Sequence, residues 1–271
     1  MNNKDNFSPA HALYIKKIRN GNIFVGIMRL FIIVALFGLW ELLAQTGVID
    51  PFITSCPSKI VSTIKTLFAE NNLTHHIWIT FYETTVGFII SVTLGLAIAL
   101  LLWWSEKLRR ILEPYIVVLN SLPKIALGPI IIIWCGSGSK AIIFMTVLIG
   151  IIVSIITMLN GYIATDKNKI LLLKSMGANK FQVLTKLVVP GSLPTFISML
   201  KINVGMAWIG SIMGEYLVSR AGLGYLIVYG SQVFKLDLVM AATIVLCVLA
   251  TVMYSFVALL ERTIIKYRSK S

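Results

Sequence analysis

The sequence predicts an all-α, polytopic membrane protein with about six transmembrane helices. Of its 271 residues, 57% are hydrophobic and only 13% are charged, whereas soluble domains have about 45–50% apolar and about 25% charged residues. Its apolar residues also form uninterrupted runs, such as Leu96–Leu102, while the strands of a transmembrane β-barrel alternate apolar and polar residues. These observations exclude disordered, collagen-like and disulfide-rich secreted proteins, and they disfavour an ordinary soluble enzyme.

The membrane spans follow from the length of each apolar run. A helix needs about 20 mostly apolar residues to cross the hydrocarbon layer. The first run is too long for a signal-peptide core and no small-residue cleavage site follows it, so we expect it to be retained. Six segments qualify, at about 23–44, 77–104, 111–135, 140–163, 191–218 and 237–261.

The spans suggest a division of the chain into four parts. Residues 1–22 and 263–271 are predicted to be cytoplasmic tails. Residues 23–75 hold the first span and an external segment, and residues 76–262 hold the other five spans.

The basic residues predict the orientation in the membrane. The formal net charge is +13, and 16 of the 24 Lys and Arg residues fall in the two tails and in two connections on the same side. Cytoplasmic loops are enriched in Lys and Arg, so both termini are expected in the cytoplasm of a plasma (inner) membrane protein, beside anionic lipid. Because this charge is spread over four membrane-adjacent segments, a nucleic-acid partner is not expected.

The sequence lacks the residue patterns of an enzyme. It has no phosphate-binding Gly-rich loop, no His-Glu-x-x-His and no Gly-x-Ser-x-Gly. We therefore expect no catalytic residues, no metal site and no cofactor in this chain. Ionisable groups near the middle of spans, typical of ion-coupled secondary transporters, are sparse. Such a transporter remains the alternative function, and a membrane-embedded enzyme is less well supported.

The connection between the fourth and fifth predicted spans carries helix signals of its own. Thr165 or Asp166 can cap a first helix that ends before Gly177, a residue that tolerates left-handed backbone geometry. Asn179, with Gln182 three residues later, matches a capping box for a second helix, which Pro190 is expected to end. The pattern predicts a helical hairpin over residues 166–190.

The second hairpin helix is predicted to carry an apolar ridge of Phe181, Leu184 and Val188. From the residues alone, two interpretations stay open. The ridge rests on lipid headgroups, or it fits a groove on a partner protein.

The hairpin resembles the EAA loop of binding-protein-dependent ABC importer permeases. In that family the pattern is Glu-Ala-Ala, three residues, Gly, nine residues, Ile-x-Leu-Pro. Here Gly177 is followed after nine residues by Leu187-x-Val189-Pro190, whereas leucines occupy the Glu-Ala-Ala positions at 171–173. The resemblance implies an ATPase-coupling hairpin with contacts from Gly177, Ala178, Phe181, Leu184, Leu187 and Pro190.

Further motifs resemble the nitrate/sulfonate/taurine branch of the family, which also handles vitamin-precursor-like molecules. They lie in order along roughly residues 36–262, nearly the whole chain. They are Leu39-Trp40-Glu41-Leu42, Pro57-Ser58-Lys59-Ile60, Ser121-Leu122-Pro123-Lys124-Ile125-Ala126-Leu127-Gly128-Pro129, Trp134-Cys135-Gly136, Gly214-Glu215-Tyr216-Leu217 and Ser219-Arg220-Ala221-Gly222-Leu223-Gly224-Tyr225.

This resemblance implies a type I ABC importer permease fold, with residues 76–262 as the transmembrane domain. It implies that two permease chains, expected to be identical, form the pathway for a small solute. Cytoplasmic ATPase subunits carry ATP and Mg, and an extracellular or periplasmic binding protein delivers the solute.

Two other regions are candidate functional sites. In the third span, prolines free backbone carbonyls, which are tolerated at membrane depth where they are buried or line a cavity. This span is therefore either a pathway wall or a kinked packing helix, with Asn120, Ser121, Pro123 and Lys124 as candidate lining residues. An external gate loop facing the binding protein is expected around Glu215, Gly222, Leu223 and Gly224.

Small residues recur every four positions in the second span. A stripe of this kind lets helices approach closely in lipid, so we expect it to pack against a neighbouring span. The stripe consists of Gly87, Ser91, Gly95 and Ala99, and Gly210 and Gly214 repeat the spacing in the fifth span.

Overall fold

A computed structural model describes residues 9–70 and 72–268, and all regular structure in these ranges is helical. The predicted all-α class is therefore confirmed. The helices are α1 (Pro9–Gln45), α2 (Pro51–Thr54), α3 (Pro57–Ala69), α4 (Asn72–Trp104), α5 (Glu106–Ser121), α6 (Gly128–Cys135), α7 (Ser139–Ile163), α8 (Lys167–Ser175), α9 (Lys180–Val183), α10 (Val189–Val218), α11 (Leu223–Gln232) and α12 (Leu236–Arg268). A 3-10 turn (Lys124–Leu127) precedes α6, and a π-helical turn (Leu184–Val188) joins α9 to α10.

Parts of both predicted tails lie outside the described residues. These parts are residues 1–8 of the tail 1–22 and residues 269–271 of the tail 263–271. Within the described ranges, α1 already begins at Pro9 and α12 continues to Arg268.

The six predicted spans correspond to helices of sufficient length and apolarity. Five spans are single helical stretches: Ile23–Gln45, Leu73–Trp104, Ser139–Ile163, Lys180–Val218 and Leu236–Arg262. The predicted third span differs, because it consists of Glu106–Ser121 and Lys124–Cys135, bent by 87° at the break between them. The number of described spans is therefore five, or six if the bent pair counts as one.

Contacts divide the chain into two units, residues 1–63 and 64–271. In the first unit, the apolar stretch of α1 is exposed, and Glu41 near its end holds the start of α3. The backbone N–H and hydroxyl of Ser58 donate to the Glu41 carboxylate at 3.0 and 2.8 Å, and the Gln45 amide donates at 2.8 Å. Glu41, in the motif at 39–42, thus caps the start of α3, where the motif at 57–60 lies.

In the second unit, α7 packs between α4 and α10. Small residues allow this approach. A Cβ on Gly87 would meet the side chain of Thr146, and one on Gly210 would lie 2.6 Å from the Thr146 Cα. The predicted small-residue stripe is therefore confirmed as a packing surface, and its partner helix is α7.

We expect Gly95→Leu to destabilise this helix pair by about 1–3 kcal/mol, the usual cost of overpacking a core. A side chain at this position would collide with Ser154 Cβ and approach the Ile151 carbonyl oxygen. Thermal unfolding of the purified chain measures the effect. Gly205→Leu is the matched control, because Gly205 in α10 has nothing within 4 Å of its Cβ position. Equal losses in the two variants would contradict the packing assignment.

The break in the third span follows from Pro123. Proline cannot donate a backbone hydrogen bond, and α5 ends two residues before it, at Ser121. Lys124 then donates from its side-chain amine to the Asn120 carbonyl at 3.1 Å. A cation at the C-terminal end of a helix is electrostatically favourable, so Lys124 stabilises the broken end.

Candidate functional site

The 166–190 hairpin has the local structure that its sequence predicts. The Asp166 carboxylate accepts from the Asn168 N–H at 2.8 Å and begins α8. Gly177 has φ of +84°, and the Ala178 N–H donates back to the Leu173 carbonyl at 3.0 Å. Asn179 and Gln182 form a reciprocal capping box at 2.8 Å. These caps are confirmed.

The predicted end of the second hairpin helix is wrong. Pro190 does not stop it, because helical structure runs without interruption from Lys180 to Val218. The π-helical turn makes this possible: the Val189 N–H bonds to the Leu184 carbonyl, five residues back. Pro190 directly follows this turn, in the first turn of α10, and its missing N–H leaves one bond of the continuous helix unmade.

The predicted apolar ridge is also wrong. Leu184 and Val188 are only 6% and 0% exposed and belong to the core under the hairpin, whereas Phe181 points outward. Ala178 and Leu187 are half-buried, and Ala178 packs against the same core. The exposed apolar surface of the hairpin is a different set, which we name the hairpin patch: Leu171, Leu172, Met176 and Phe181, each 61–75% exposed.

Lys180 ties the hairpin to the end of α4. Its amine donates to the Trp104 carbonyl and lies 5.8 and 5.2 Å from the ring centroids of Trp103 and Trp104. The ammonium therefore meets both a helix C-terminus and aromatic faces, each of which attracts a cation. This contact joins the start of α9 to the C-terminal end of α4.

Gly177→Val is expected to lower the protection of hairpin amides against hydrogen exchange about 5- to 30-fold. A left-handed residue with a side chain costs about 1–2 kcal/mol, and nothing lies within 4 Å of the Gly177 Cβ position, so the cost arises from the backbone alone. Gly177→Asn is the control, since Asn accepts this geometry. If both variants lost protection equally, the left-handed turn would not be the cause.

The candidate pathway residues come together at the break of the third span. Asn120, Ser121 and Pro123 are exposed, and Lys124 is half-buried. The Ser121 hydroxyl donates to the Val117 carbonyl at 3.1 Å, so this donor is already bonded within the helix. Their role in lining a pathway stays a prediction.

We name the end of α10, the turn that follows it and the start of α11 the 215–225 loop. Side chains that accept hydrogen bonds from its backbone N–H groups hold this loop in place. Gly222 N–H donates to His76 Nδ1 at 2.8 Å, Leu223 N–H to the Thr80 hydroxyl at 2.7 Å, and Gly224 N–H to Glu215 Oε2 at 2.5 Å. The first N–H groups of a helix have no partner within that helix, and here α4 and α10 supply partners for the start of α11.

Two glycines let the loop approach Glu215. Gly222 has φ of +113°, and a Cβ there would overlap the Glu215 carboxyl group. A Cβ on Gly224 would lie 2.8 Å from that of Glu215. Glu215, Gly222, Leu223 and Gly224 are all buried, so these four are not available to contact a binding protein. Their role as an external gate stays a prediction.

The α4 side of this site was not predicted from the sequence. His76, Thr80 and Glu83 all contact the loop or Glu215. Their spacing of four and three residues places them on one face of a helix. Polar residues on one face of an apolar span are the sequence pattern from which this side of the site could have been predicted. A polar contact between Thr84 and the Ser211 hydroxyl at 2.7 Å extends the same face.

The comparisons with known proteins identify the family. Residues 91–266 match the family described as the binding-protein-dependent transport system inner membrane component. The chain belongs to this family. Its resemblance to ABC importer permeases is thereby confirmed, and we refer to it below as the permease.

Named relatives fall in the predicted branch. A permease protein of Bacillus subtilis (strain 168), SsuC, named for aliphatic sulfonates transport, is 28% identical over 86% of this chain and 85% of its own. The formylaminopyrimidine transport permease protein ThiX of Halalkalibacterium halodurans is 30% identical over 86% of this chain and 92% of its own.

A solved structure agrees on the fold. The MetNI methionine ABC transporter in an inward-facing conformation superposes with a TM-score of 0.65 at 19% identity, over 72% of this chain and 97% of that one. The type I importer permease fold is therefore confirmed. The permease is an inner-membrane transport subunit of an ABC importer.

Proposed function

We propose that the permease forms the solute pathway of an importer whose ATP hydrolysis takes place on separate cytoplasmic ATPase subunits docked on the 166–190 hairpin. The hairpin patch supports this proposal. It places four large apolar side chains on a short, capped, polar-flanked hairpin, and exposed patches of this kind are typical of protein interaction sites.

The composition of the patch describes the partner groove. Leu171 and Leu172 occupy positions where the family has Glu and Ala, and both are exposed. Exposed apolar side chains contribute to the free energy of binding only where they displace water from an apolar surface. We infer that the ATPase presents an apolar groove to this hairpin, without a polar partner for the missing glutamate.

The remaining partners follow from the family. An extracellular or periplasmic binding protein delivers the solute, and a second permease copy completes the pathway within the lipid. The relatives named above bear the names of a sulfonate and of a pyrimidine, so we propose a small solute of the nitrate, sulfonate, taurine or vitamin-precursor type. The solute is identified as the compound that raises the Tm of the binding protein.

Reconstitution tests the proposal. The permease, the ATPase and the binding protein are placed in liposomes, and we expect solute uptake that requires ATP and continues when ionophores remove ion gradients. Uptake by the permease alone, driven by an ion gradient, would overturn it.

An ion-coupled secondary transporter is the second candidate function. The observation that favours it is the pair of buried carboxyl groups of Glu83 and Glu215 in α4 and α10, because buried ionisable groups in spans often carry protons or ions. The same liposomes decide between the two, since only this candidate predicts loss of uptake with ionophores.

We further propose that both termini and the hairpin are cytoplasmic. In a background where Cys56, Cys135 and Cys247 are replaced by alanine, Ser231→Cys should react with a membrane-impermeant thiol reagent in intact cells. Ser175→Cys should react only after permeabilisation. Both positions are exposed in the structure, so burial does not protect either of them. The reverse pattern would contradict this orientation.

A further inference from the structure

Glu83 and Glu215 form a buried carboxyl pair that the proposed transport cycle does not use. Both side chains are 1% exposed, Glu83 on α4 and Glu215 on α10. A carboxylate without a compensating partner is costly to hold in a low-dielectric interior. The pair therefore needs compensating partners.

The donors around the pair are unevenly shared. Glu215 accepts from the Gly224 N–H at 2.5 Å, and also from the Tyr225 N–H and the Thr80 hydroxyl. Glu83 accepts from the Ser139 hydroxyl. Each carboxyl group retains one oxygen, Glu83 Oε2 and Glu215 Oε1, to which no described group donates. The two carboxyl groups lie within hydrogen-bonding reach of each other.

No described cation neutralises the pair. Neither carboxyl group takes part in the ion pairs found among the described residues. Arg220 lines the same cleft of about 330 Å³ as Glu83, but it is exposed. On α4, His76 Nδ1 accepts the Gly222 N–H at 2.8 Å, so that nitrogen carries no proton, and its ring stacks on Tyr225 of α11 at 6.0 Å.

Two further titratable groups near the pair, among the residues that the structure describes, do not compensate its charge either. Tyr216 follows Glu215 on α10 and is a neutral phenol. Lys140 follows Ser139 at the start of α7 and is exposed.

We propose that Glu83 and Glu215 form a binding site for one proton, which fastens the 215–225 loop to α4. Two carboxylates this close in a buried site do not both ionise. A proton on one of them makes an O–H group that donates to the other, and this single bond provides a partner for both open oxygens.

The proton belongs to the pair as a whole and not to one carboxyl group. Both carboxyl groups also accept hydrogen bonds from their surroundings, Glu215 from three donors and Glu83 from the Ser139 hydroxyl. Glu215 also lies at the N-terminus of α11, where a negative charge is favourable. The shared hydrogen bond joins α4 to Glu215, and Glu215 holds the loop through its other oxygen.

Infrared spectroscopy of the purified permease in nanodiscs tests the site directly, without a need for transport or for the ATPase. At neutral pH we expect a C=O stretching band of a protonated carboxyl group, lost in Glu83→Gln and fading in the wild type as the pH is raised. Glu113→Gln is the control, because Glu113 is exposed and its change should leave the band intact. A wild type without this band, or a Glu83→Gln variant that keeps it, would overturn the proposal.

Cysteine labelling tests the fastening of the loop. Ala221→Cys, in the cysteine-free background, should react slowly at neutral pH and at least tenfold faster at the pH where the band disappears. With Glu83→Gln added, labelling should stay slow at every pH, because the amide donates to Glu215 without a titrating proton. With Glu113→Gln added, it should follow the parent. Labelling that ignores the loss of the band would show that the proton does not fasten the loop.

Discussion

Replacing Leu171 and Leu172 together by aspartate is expected to abolish docking of the ATPase while leaving membrane insertion intact. Burial of each leucine is worth about 1.5–3 kcal/mol, so losing both removes roughly 3–6 kcal/mol, or about 10²- to 10⁴-fold in affinity. Neither side chain is buried in the permease itself, so the fold should not suffer. Co-purification with the ATPase and titration of its binding measure the effect.

The matched control for this experiment keeps the apolar surface. Leu171→Met with Leu172→Met preserves size and polarity and should dock like the parent. Val183→Asp is a contrasting variant, because Val183 is 1% exposed in the core beneath the hairpin, and it should reduce folding as well as docking. If the double aspartate variant binds the ATPase with parental affinity, the hairpin patch is not the docking surface.

Gly222→Val is expected to detach the 215–225 loop and to lower the stability of the permease by roughly 2–6 kcal/mol. Backbone strain at φ of +113° contributes about 1–3 kcal/mol, and the collision with the Glu215 carboxyl group contributes about 1–3 kcal/mol more. Thermal unfolding measures the loss, and faster labelling at Ala221→Cys reports the detachment.

Gly136→Val separates the two causes. Gly136 also has a positive φ, +77°, but nothing lies within 4 Å of its Cβ position. It should therefore show the strain alone and lose less stability than Gly222→Val. Equal losses would mean that contact with Glu215 plays no part in holding the loop.

Local features of the hairpin were predictable because they depend on neighbours in sequence. The caps at Asp166 and Asn179 and the left-handed turn at Gly177 each involve residues within five positions of one another. The proline effect at Pro190 was not predictable in the same way. A π-helical turn precedes this proline, and Leu184 and Val188 of that turn pack into the core against residues far away in the sequence.

The hairpin patch shows why periodicity alone misassigned a surface. Phe181, Leu184 and Val188 share a helical spacing, but Leu184 and Val188 are buried in the core whereas Phe181 is exposed. In an apolar protein, hydrophobicity does not distinguish a buried side chain from one that faces a partner or lipid. Only the position of the neighbouring helices makes that distinction.

The carboxyl pair illustrates the same limit over a longer distance. Glu83 and Glu215 are 132 positions apart in the chain, and each taken alone is an acidic residue near the end of a span. The approach of α4 to α10 beside α7 brings them together. That approach in turn needs the small residues at Gly87, Gly150 and Gly210.

By itself, the sequence determined the all-helical class, the positions of the spans, the family and the hairpin caps, because composition, run length and short-range hydrogen bonds do not depend on how the chain folds back on itself. The tertiary structure decided which leucines face outward at positions 171 and 172, how sharply the third span breaks at Pro123, and which groups meet Glu215. These features depend on contacts between distant helices, and such contacts arise only when the packed spans exclude lipid and water from between them.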